Sequence, residues 1–389
     1  MYMIMKTVRS SNIWQSKERK VSSKGIIKKY TDVIVCFLVS RLCFAMILLL
    51  CKRTLPELTR FFDGELYYQI SVNGYDKNHL TAFFPMIPLI YRYLSGYGVL
   101  VVNQICLFIS MVLLKKIVAD EYKCPNATSV ILVFAFSPVS YFSLVAYTES
   151  VFFVLTLSAF YLFMKNKYPW LMGILVGLSV FTRNTGSIVF FALFIGMVIR
   201  WIKKQTKFLD IIAAYVPATL ISLIFPVYLQ AEFGNWKVFV DCQYENWLKV
   251  HSNLFKTYFN SFKMIFTNEY NYDIYTLTLF RINEIITILI TLFMLFLCVK
   301  EIKKLKSLDA VSVVSVLVIL MSIVICSSTI MDPAESAPTR SFYRYYLGMF
   351  PAFTLLYSLH PKLIDALVIV SAFSGLVLSA IYFKASFFY

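Results

Sequence analysis

Residues 31–51, TDVIVCFLVSRLCFAMILLLC, form an apolar run that is long enough to decide the class of fold. A bilayer core of ~30 Å needs about 20 apolar residues of helix, and this run has that length. Because the whole chain is 59% hydrophobic and only 15% charged, a soluble domain could not cover its apolar residues with polar surface. The sequence therefore predicts an all-α integral membrane protein.

Similar apolar runs recur along the rest of the chain and predict about eleven transmembrane helices in one polytopic domain, residues 31–389. The predicted spans are 31–51, 97–114, 127–142, 146–164, 168–183, 185–202, 208–230, 282–299, 308–330, 344–359 and 363–383. Residues 82–95 are also apolar, but they hold Pro85, Pro88 and Arg92 and are too short to span. We expect this segment to be interfacial or re-entrant.

Basic residues set the predicted orientation. Residues 1–30 are rich in Lys and Arg and lack the apolar core of a signal peptide, so they are predicted to be a basic cytoplasmic tail. The loops 115–123, 164–168, 200–207 and 300–306 are basic as well, as the positive-inside rule requires of cytoplasmic loops. The segments 52–96, 231–281 and 331–343 then become extracytoplasmic loops of a cell-membrane protein, or lumenal loops in the endoplasmic reticulum of a eukaryote.

The net charge of +16 is explained by this orientation and by contact with anionic membrane lipids, so no nucleic-acid partner is expected. The eight cysteines form no CxxC pair and the three histidines are scattered, so neither a disulfide framework nor a metal site is predicted. The chain has no GxxxxGK[ST] or GxGxxG motif. We expect no bound cofactor.

Polar residues gather in four segments that this topology places on the extracytoplasmic face. Charged groups inside a membrane are costly and therefore often functional or paired. The segments and their polar residues are FFDGELYYQISVNGYDKNHL (61–80) with Asp63, Glu65 and His79; SPVSYFSLVAYTESVFF (137–153) with Glu149; FTRNTGS (181–187) with Arg183 and Asn184; and DPAESAPTRSFYRYY (332–346) with Asp332, Glu335, Arg340 and Arg344. Arg41, near the centre of the first predicted span, has no partner that the sequence identifies.

Residues 253–266, NLFKTYFNSFKMIF, carry aromatic residues at helical spacing with Lys256 and Lys263 off that stripe. This pattern predicts a helix lying in the membrane interface, with Trp236 and Trp247 as nearby anchors. The helix would either border a lipid-accessible groove or simply pack on the rim of the bundle.

Four stretches together resemble the PIG-V family of mannosyltransferases, the GPI mannosyltransferase 2 type and its bacterial relatives, within the GT-C class. They are FFDGELYYQISVNGY (61–75) followed by AFFPMIP (82–88), SPVSYFSLVAYTESVFFVLT (137–156), GLSVFTRNTG (177–186) and RYYLGMFP (344–351). The family usually has Trp-Asp where this chain has Phe62-Asp63. The resemblance implies a GT-C-type helical bundle that takes a sugar, typically mannose, from a polyprenyl or dolichyl phosphate on the extracytoplasmic or lumenal side, without a metal.

The residues suggest how such an enzyme would work. Inverting transfer needs a base for the acceptor hydroxyl and positive groups for the departing phosphate. Asp63 is the candidate catalytic base, although it also precedes a predicted helix at 64–72 and could act only as its N-cap. The predicted substrate-binding residues are Glu65, His79, Glu149, Arg183, Asn184, Arg340, Arg344 and Tyr345.

For each of these candidates a structural role is open too. Interfacial arginines often only anchor a helix, and Glu149 could form an ion pair with Arg183 instead of binding sugar hydroxyls. The acceptor, a glycolipid, a glycan or a protein, is not defined by the sequence. The alternative function is a transporter or flippase of lipid-linked sugars, although such a protein would place its polar groups near the membrane midplane.

Overall fold

The computed structural model describes residues 23–267, 272–303 and 309–384, so most of the predicted basic tail lies outside the described residues. The α-helices in chain order are α1 Ser23–Leu50, α2 Leu55–Thr59, α3 Asp63–Asn73, α4 Met86–Lys115, α5 Ala127–Ala135, α6 Glu149–Lys165, α7 Pro169–Thr182, α8 Gly186–Ile202, α9 Phe208–Phe233, α10 Val238–Glu245, α11 Leu254–Phe266, α12 Ile274–Ile302, α13 Ala310–Ser327, α14 Phe342–Leu347, α15 Pro351–Thr354 and α16 Pro361–Lys384. Short 3₁₀ helices lie at Asn78–Ala82, Ser140–Leu144 and Leu355–Ser358, and a π-helical turn, Lys116–Glu121, extends α4.

Six of the described helices, α1, α4 with its π-helical extension, α9, α12, α13 and α16, are long and apolar enough to cross a membrane. The apolar helices α7 and α8 are shorter. These lengths confirm a helical membrane protein. Two of the remaining predicted spans are interrupted: 127–142 breaks after Ala135, just before Pro138, and 344–359 is divided into three short helices. A proline lacks the backbone N–H that would continue a helix.

The loops predicted to be cytoplasmic contact one another at one end of the bundle. Lys29 of α1 forms a 2.6 Å ion pair with Asp120 after α4, and Lys165 of α6 forms another, also 2.6 Å, with Glu121. At the opposite end Arg53, just after α1, donates to the carbonyl of Phe383 in α16 at 2.7 Å. The ends of helices that are distant in sequence are thus joined at both ends of the bundle. We call the end that carries the Lys29–Asp120 and Lys165–Glu121 ion pairs the basic end.

Two glycines bring α7 and α9 into very close contact. A Cβ atom on Gly173 would lie 1.8 Å from the carbonyl oxygen of Ala214, and one on Gly177 would lie 2.9 Å from that of Ala218. Only a residue without a side chain fits at such distances. This contact fixes α9 against α7.

Residues 55–96 form a layer of short helices at the end of the bundle opposite the basic end. The predicted helix at 64–72 is α3, and it ends at Gly74 with φ +76°. Helix α4 begins at Met86 and is interrupted at Ser95, which has φ 63° and ψ 174°. Residues 86–94, part of the segment expected to be interfacial or re-entrant, are therefore the first turns of α4, set off from its main body by this break.

The described part of the 231–281 loop contains α10, strand β1 Lys249–His251 and α11. Strand β1 pairs antiparallel with β2 Thr329–Met331, which follows α13. In α11 the side chains of Phe255, Phe259 and Phe266 are 86%, 68% and 77% exposed. Thr257, Ser261 and Met264 on the other face are buried. The predicted amphipathic helix at 254–266 is confirmed, with its aromatic stripe on the outer surface.

Candidate active site

Asp63 lies in the first turn of α3, and the N-cap position of that helix belongs to Phe62, which has φ +45°. The interpretation of Asp63 as the N-cap is therefore wrong by one residue. The carboxylate accepts no hydrogen bond from the first turn and is bound by Arg344 instead. The positive end of the helix dipole still favours a negative charge at this position.

Four predicted residues meet in one connected set of ion pairs. The Arg344 Nη1 and Nη2 atoms each lie 3.2 Å from Asp63 Oδ2, and Arg344 Nε donates to Glu149 Oε1. Arg183 Nη1 donates to the same Glu149 oxygen at 2.8 Å. We call Asp63, Glu149, Arg183 and Arg344 the ion network. It joins residues 281 positions apart in the sequence.

The ion network lies mostly below the surface. The side chains of Arg344, Glu149 and Arg183 are 7%, 9% and 12% exposed, whereas that of Asp63 is 23% exposed. Two carboxylates and two guanidinium groups balance in charge, which is how buried ions are tolerated. Asp63 is thus the member that a ligand could reach from outside.

Two acidic oxygens of the ion network have no hydrogen-bond donor among the described residues. Glu149 Oε2 is fully buried and without a partner. Asp63 Oδ1 receives no donor either, because both hydrogen bonds from Arg344 go to Oδ2. A buried acceptor without a donor costs about 1–3 kcal/mol. A hydroxyl group that donates to Glu149 Oε2 would remove that cost, whereas Asp63 Oδ1 belongs to a partly exposed side chain.

Aromatic rings surround the two arginines. The Arg344 guanidinium lies 4.6 Å from the ring centroids of both Phe142 and Tyr147, and that of Arg183 lies 5.3 Å from the ring of Tyr345. Such contacts are attractive and hold the planar groups in place. Tyr345, predicted to bind substrate, therefore contacts the ion network through Arg183.

Three tyrosines, Tyr67, Tyr147 and Tyr382, complete the surroundings of Asp63. The hydroxyl of Tyr147 accepts a hydrogen bond from the backbone N–H of Asp63 at 3.2 Å and another from the Tyr382 hydroxyl in α16 at 2.9 Å. Tyr67, on α3, lies within electrostatic range of Asp63, and burial raises the pKa of its hydroxyl well above the ordinary value. Tyr67 is therefore a neutral hydrogen-bond donor over the physiological pH range. With 26 tyrosines in the chain, no sequence pattern distinguishes these three.

Arg41, which had no predicted partner, binds the segment that leads to Glu149. Its Nη1 donates to Ser143 Oγ at 2.6 Å, and its Nη2 donates to Ser140 Oγ at 2.9 Å and to the Ala135 carbonyl at 3.2 Å. Ala135 is the last residue of α5, and both serines lie in the 3₁₀ helix Ser140–Leu144 that follows the break. Arg41 therefore stabilises the irregular backbone between α5 and α6.

The other predicted substrate-binding residues lie outside the ion network. Glu65 pairs at 4.0 Å with Arg60 on the surface, and Asn184 is exposed. His79 is half-buried and offers its backbone carbonyl to the Trp247 indole at 3.0 Å. Arg340 lines a small cavity between α12 and α16 that also contains Tyr141, Asn283, Tyr343 and Tyr382.

The described residues contain no group of three or more His, Cys, Asp or Glu side chains that could hold a metal ion. Comparison of the chain with protein-family models, with curated proteins and with solved structures gives no match. The similarity to PIG-V mannosyltransferases therefore depends on the quoted motifs alone.

Proposed function

We propose that this protein is a membrane glycosyltransferase that transfers a hexose, with mannose as the first candidate, from a polyprenyl or dolichyl phosphate carrier to an extracytoplasmic acceptor. The bridge that Arg344 forms between Asp63 and Glu149 carries the proposal. It holds a partly exposed carboxylate beside a buried one that still lacks a donor. This is the arrangement that a base next to a sugar-binding acceptor requires.

The proposed reaction is an inverting single displacement. The acceptor hydroxyl oxygen attacks the anomeric carbon, and the bond from that carbon to the phosphate oxygen breaks, with its electron pair leaving on the phosphate. Asp63 Oδ1 takes the proton of the attacking hydroxyl, because this oxygen is free while Arg344 holds Oδ2. Arg344 holds the Asp63 carboxylate in one orientation, so the base is positioned before the substrate arrives.

The remaining members of the ion network have proposed roles in binding. Glu149 Oε2 accepts a hydroxyl of the transferred sugar, which satisfies an oxygen that is otherwise without a donor. Arg183 uses one nitrogen for Glu149, and its other N–H groups are proposed to contact the carrier phosphate, since a guanidinium suits phosphate oxygens. The phosphate leaves on its lipid, so no cofactor is needed.

The finer features of the fold are part of the same proposal. These are a GT-C-type bundle of about eleven spans, a cytoplasmic N-terminus and an active site on the extracytoplasmic face. The basic loops at the basic end support this orientation. The position of the ion network also favours an enzyme over a flippase, because Asp63 and Glu149 begin helices α3 and α6 at the other end of the bundle instead of lying at mid-span.

The test is transfer by the purified protein in detergent, with polyprenyl-phosphate mannose and candidate glycolipid acceptors and with product identified by mass spectrometry. Asp63→Asn keeps the shape of the side chain and its bond to Arg344 but removes the base, so we expect the rate to fall by about 10²–10⁴-fold. Detergent abolishes sealed compartments, so a flippase would give no product.

Asp76→Asn is the matched control, because Asp76 is an exposed acid in the same loop, away from the ion network. It should keep the wild-type rate. A wild-type rate in Asp63→Asn, with normal membrane insertion, would refute the role of Asp63 as the base. Absence of product from the wild-type protein with every carrier-linked hexose tested would refute the proposed activity itself.

A further inference from the structure

A groove lies between α8 and α9, and no residue of the ion network lines it. It has a volume of about 660 Å³. Residues from both helices line it, among them Phe194, Val198, Trp201, Phe208, Ile212 and Tyr215.

The packing of α9 explains why the groove is open. Gly173 and Gly177 draw α9 against α7, and only residues 203–207 connect α9 to the end of α8. The Trp201 and Phe208 rings, 5.5 Å apart, meet at the end of the groove beside that connection. Phe194 and Tyr215, 4.9 Å apart, pack edge to face farther along. The groove is thus bordered by ring contacts between the two helices and lined by residues of both.

The walls of the groove suit hydrocarbon better than water. The Tyr215 hydroxyl already donates to the carbonyl of Phe190 at 2.9 Å, and Thr219 is the next polar residue of the lining. An ordered water needs two to four polar partners, which this wall does not supply. Because α9 is one of the helices long and apolar enough to cross a membrane, and Ile212, Val216 and Leu220 of the lining are exposed, a bilayer around α9 would place acyl chains against the groove.

The end of the groove at the connection is positively charged. Lys203, Lys204 and Lys207 lie in the connecting residues 203–207, and all three are exposed. Lys203 already has an interaction within the protein. The nearby acid, Asp210, is already engaged by the Thr206 hydroxyl at 2.8 Å and by the backbone N–H of Lys207 at 2.9 Å. Arg200 is buried and donates to the carbonyl of Phe163. Lys204 and Lys207 are thus the cations available to a phosphate at the membrane surface.

We propose that this groove is a binding site for an anionic phospholipid. One acyl chain lies between α8 and α9, Trp201 sits at the level of the head group, and Lys204 and Lys207 hold the phosphate. Lysines near an anionic lipid surface each contribute about 1 kcal/mol, so two of them correspond to a preference of roughly ten- to thirtyfold over a zwitterionic lipid with the same chains. The site does not depend on the proposed transferase activity.

Quenching of Trp201 fluorescence by brominated lipids tests the proposal on the full chain in mixed micelles. The chain has five tryptophans, so the signal of Trp201 is taken as the difference between the wild type and Trp201→Phe. Brominated phosphatidylglycerol should reach half-maximal quenching at a mole fraction roughly ten- to thirtyfold lower than brominated phosphatidylcholine. At 1 M salt, where the Debye length is about 3 Å, this difference should shrink.

Two variants separate the charge from the groove. Lys204→Ser combined with Lys207→Ser should make the two lipids equal, whereas Lys167→Ser, an exposed lysine of the neighbouring α6–α7 loop, should keep the preference. Val198→Phe fills the groove beside Trp201 and should weaken quenching by both lipids. Equal quenching of the wild type by the two lipids would mean unselective contact with the bilayer and would overturn the proposal. A preference that survives in the double variant would overturn the assignment of the lysines.

Discussion

Two buried glutamates, Glu149 and Glu284, are stabilised in different ways: Glu149 by ion pairs and Glu284 by hydrogen bonds. Glu149 binds two arginines yet leaves Oε2 without a donor. Glu284, fully buried in α12, forms no ion pair with any described residue, but both of its oxygens are hydrogen-bonded. Thr339 supplies its backbone N–H at 3.0 Å and its hydroxyl at 2.8 Å.

The difference separates an acid that is stabilised by hydrogen bonds from one that is stabilised by charge. Both carboxylate oxygens of Glu284 accept hydrogen bonds from Thr339. These bonds tie α12 to the loop before α14, and α14 is the helix that carries Arg344. Arg183 and Arg344 neutralise the charge of Glu149, but its Oε2 atom has no hydrogen-bond donor. Glu149 Oε2 is one of several buried polar side-chain atoms without a partner among the described residues, so the contrast concerns how each carboxylate is stabilised.

The largest effect on stability should come from removing the acid that holds two cations. Glu149→Ala leaves Arg183 and Arg344 buried without their shared partner, and breaking a buried ion pair costs about 3–5 kcal/mol. The free energy of unfolding, measured by SDS titration of mixed micelles, should fall by that amount. Glu149→Gln keeps the size but not the charge and should also be strongly destabilised. A loss below about 1 kcal/mol would show that the arginines have other partners.

Glu284 should respond less, and in a different pattern. Glu284→Ala leaves the buried N–H of Thr339 without an acceptor, so we expect a loss of about 1–3 kcal/mol in the same titration. Glu284→Gln still offers an amide oxygen to that N–H and should cost less than Glu284→Ala. If glutamine is tolerated equally well at positions 149 and 284, the contrast between charge and hydrogen bonding fails.

Tyr382→Phe sharpens the comparison at the edge of the ion network. It removes the hydroxyl that donates to Tyr147, and a single hydrogen bond contributes about 0.5–1.5 kcal/mol. Because Tyr147 also accepts from the Asp63 backbone, the variant should lower the transfer rate by a modest factor while leaving the KM for the donor unchanged. A rate loss as large as that of Asp63→Asn would place Tyr382 in the chemistry itself.

The smallest effect is expected for the exposed pair of Arg60 and Glu65. Their side chains are 49% and 40% exposed and 4.0 Å apart, and such surface pairs contribute about 0–1 kcal/mol. Arg60→Gln should therefore change the free energy of unfolding by less than about 1 kcal/mol. A larger loss would trace to the contact of Arg60 with the Tyr68 ring, 3.6 Å away.

Much of the architecture was predictable because apolar length and helical periodicity are local signals. The runs at 31–51, 208–230 and 363–383 became α1, α9 and α16, and the aromatic pattern at 254–266 became α11. The broken segments were less predictable, because their irregular backbone depends on distant groups. Arg41 holds one of them through serines about 100 residues away in sequence.

The site was predictable only in part. Charged residues in apolar surroundings singled out Asp63, Glu149, Arg183 and Arg344, and these four do meet. The sequence already indicated an ion pair of Glu149 with Arg183 as an alternative, and that pair forms at 2.8 Å. The bridge that Arg344 makes to both acids was not predictable, since this arginine could equally have anchored its own helix end. Glu284 was not predicted to have a role, although it lies in an apolar run. Its hydrogen-bond donors are on Thr339, 55 positions away in the sequence.

The balance of charges in the ion network also affects how ligands are captured. Two negative and two positive groups a few ångströms apart produce a field that fades quickly with distance, so the ion network itself exerts little long-range pull on an ionic molecule in water. Association with such a centre is set by collision frequency and lateral diffusion more than by attraction. Its capture rate should consequently vary little with ionic strength, unlike binding at the lysine-rich opposite end.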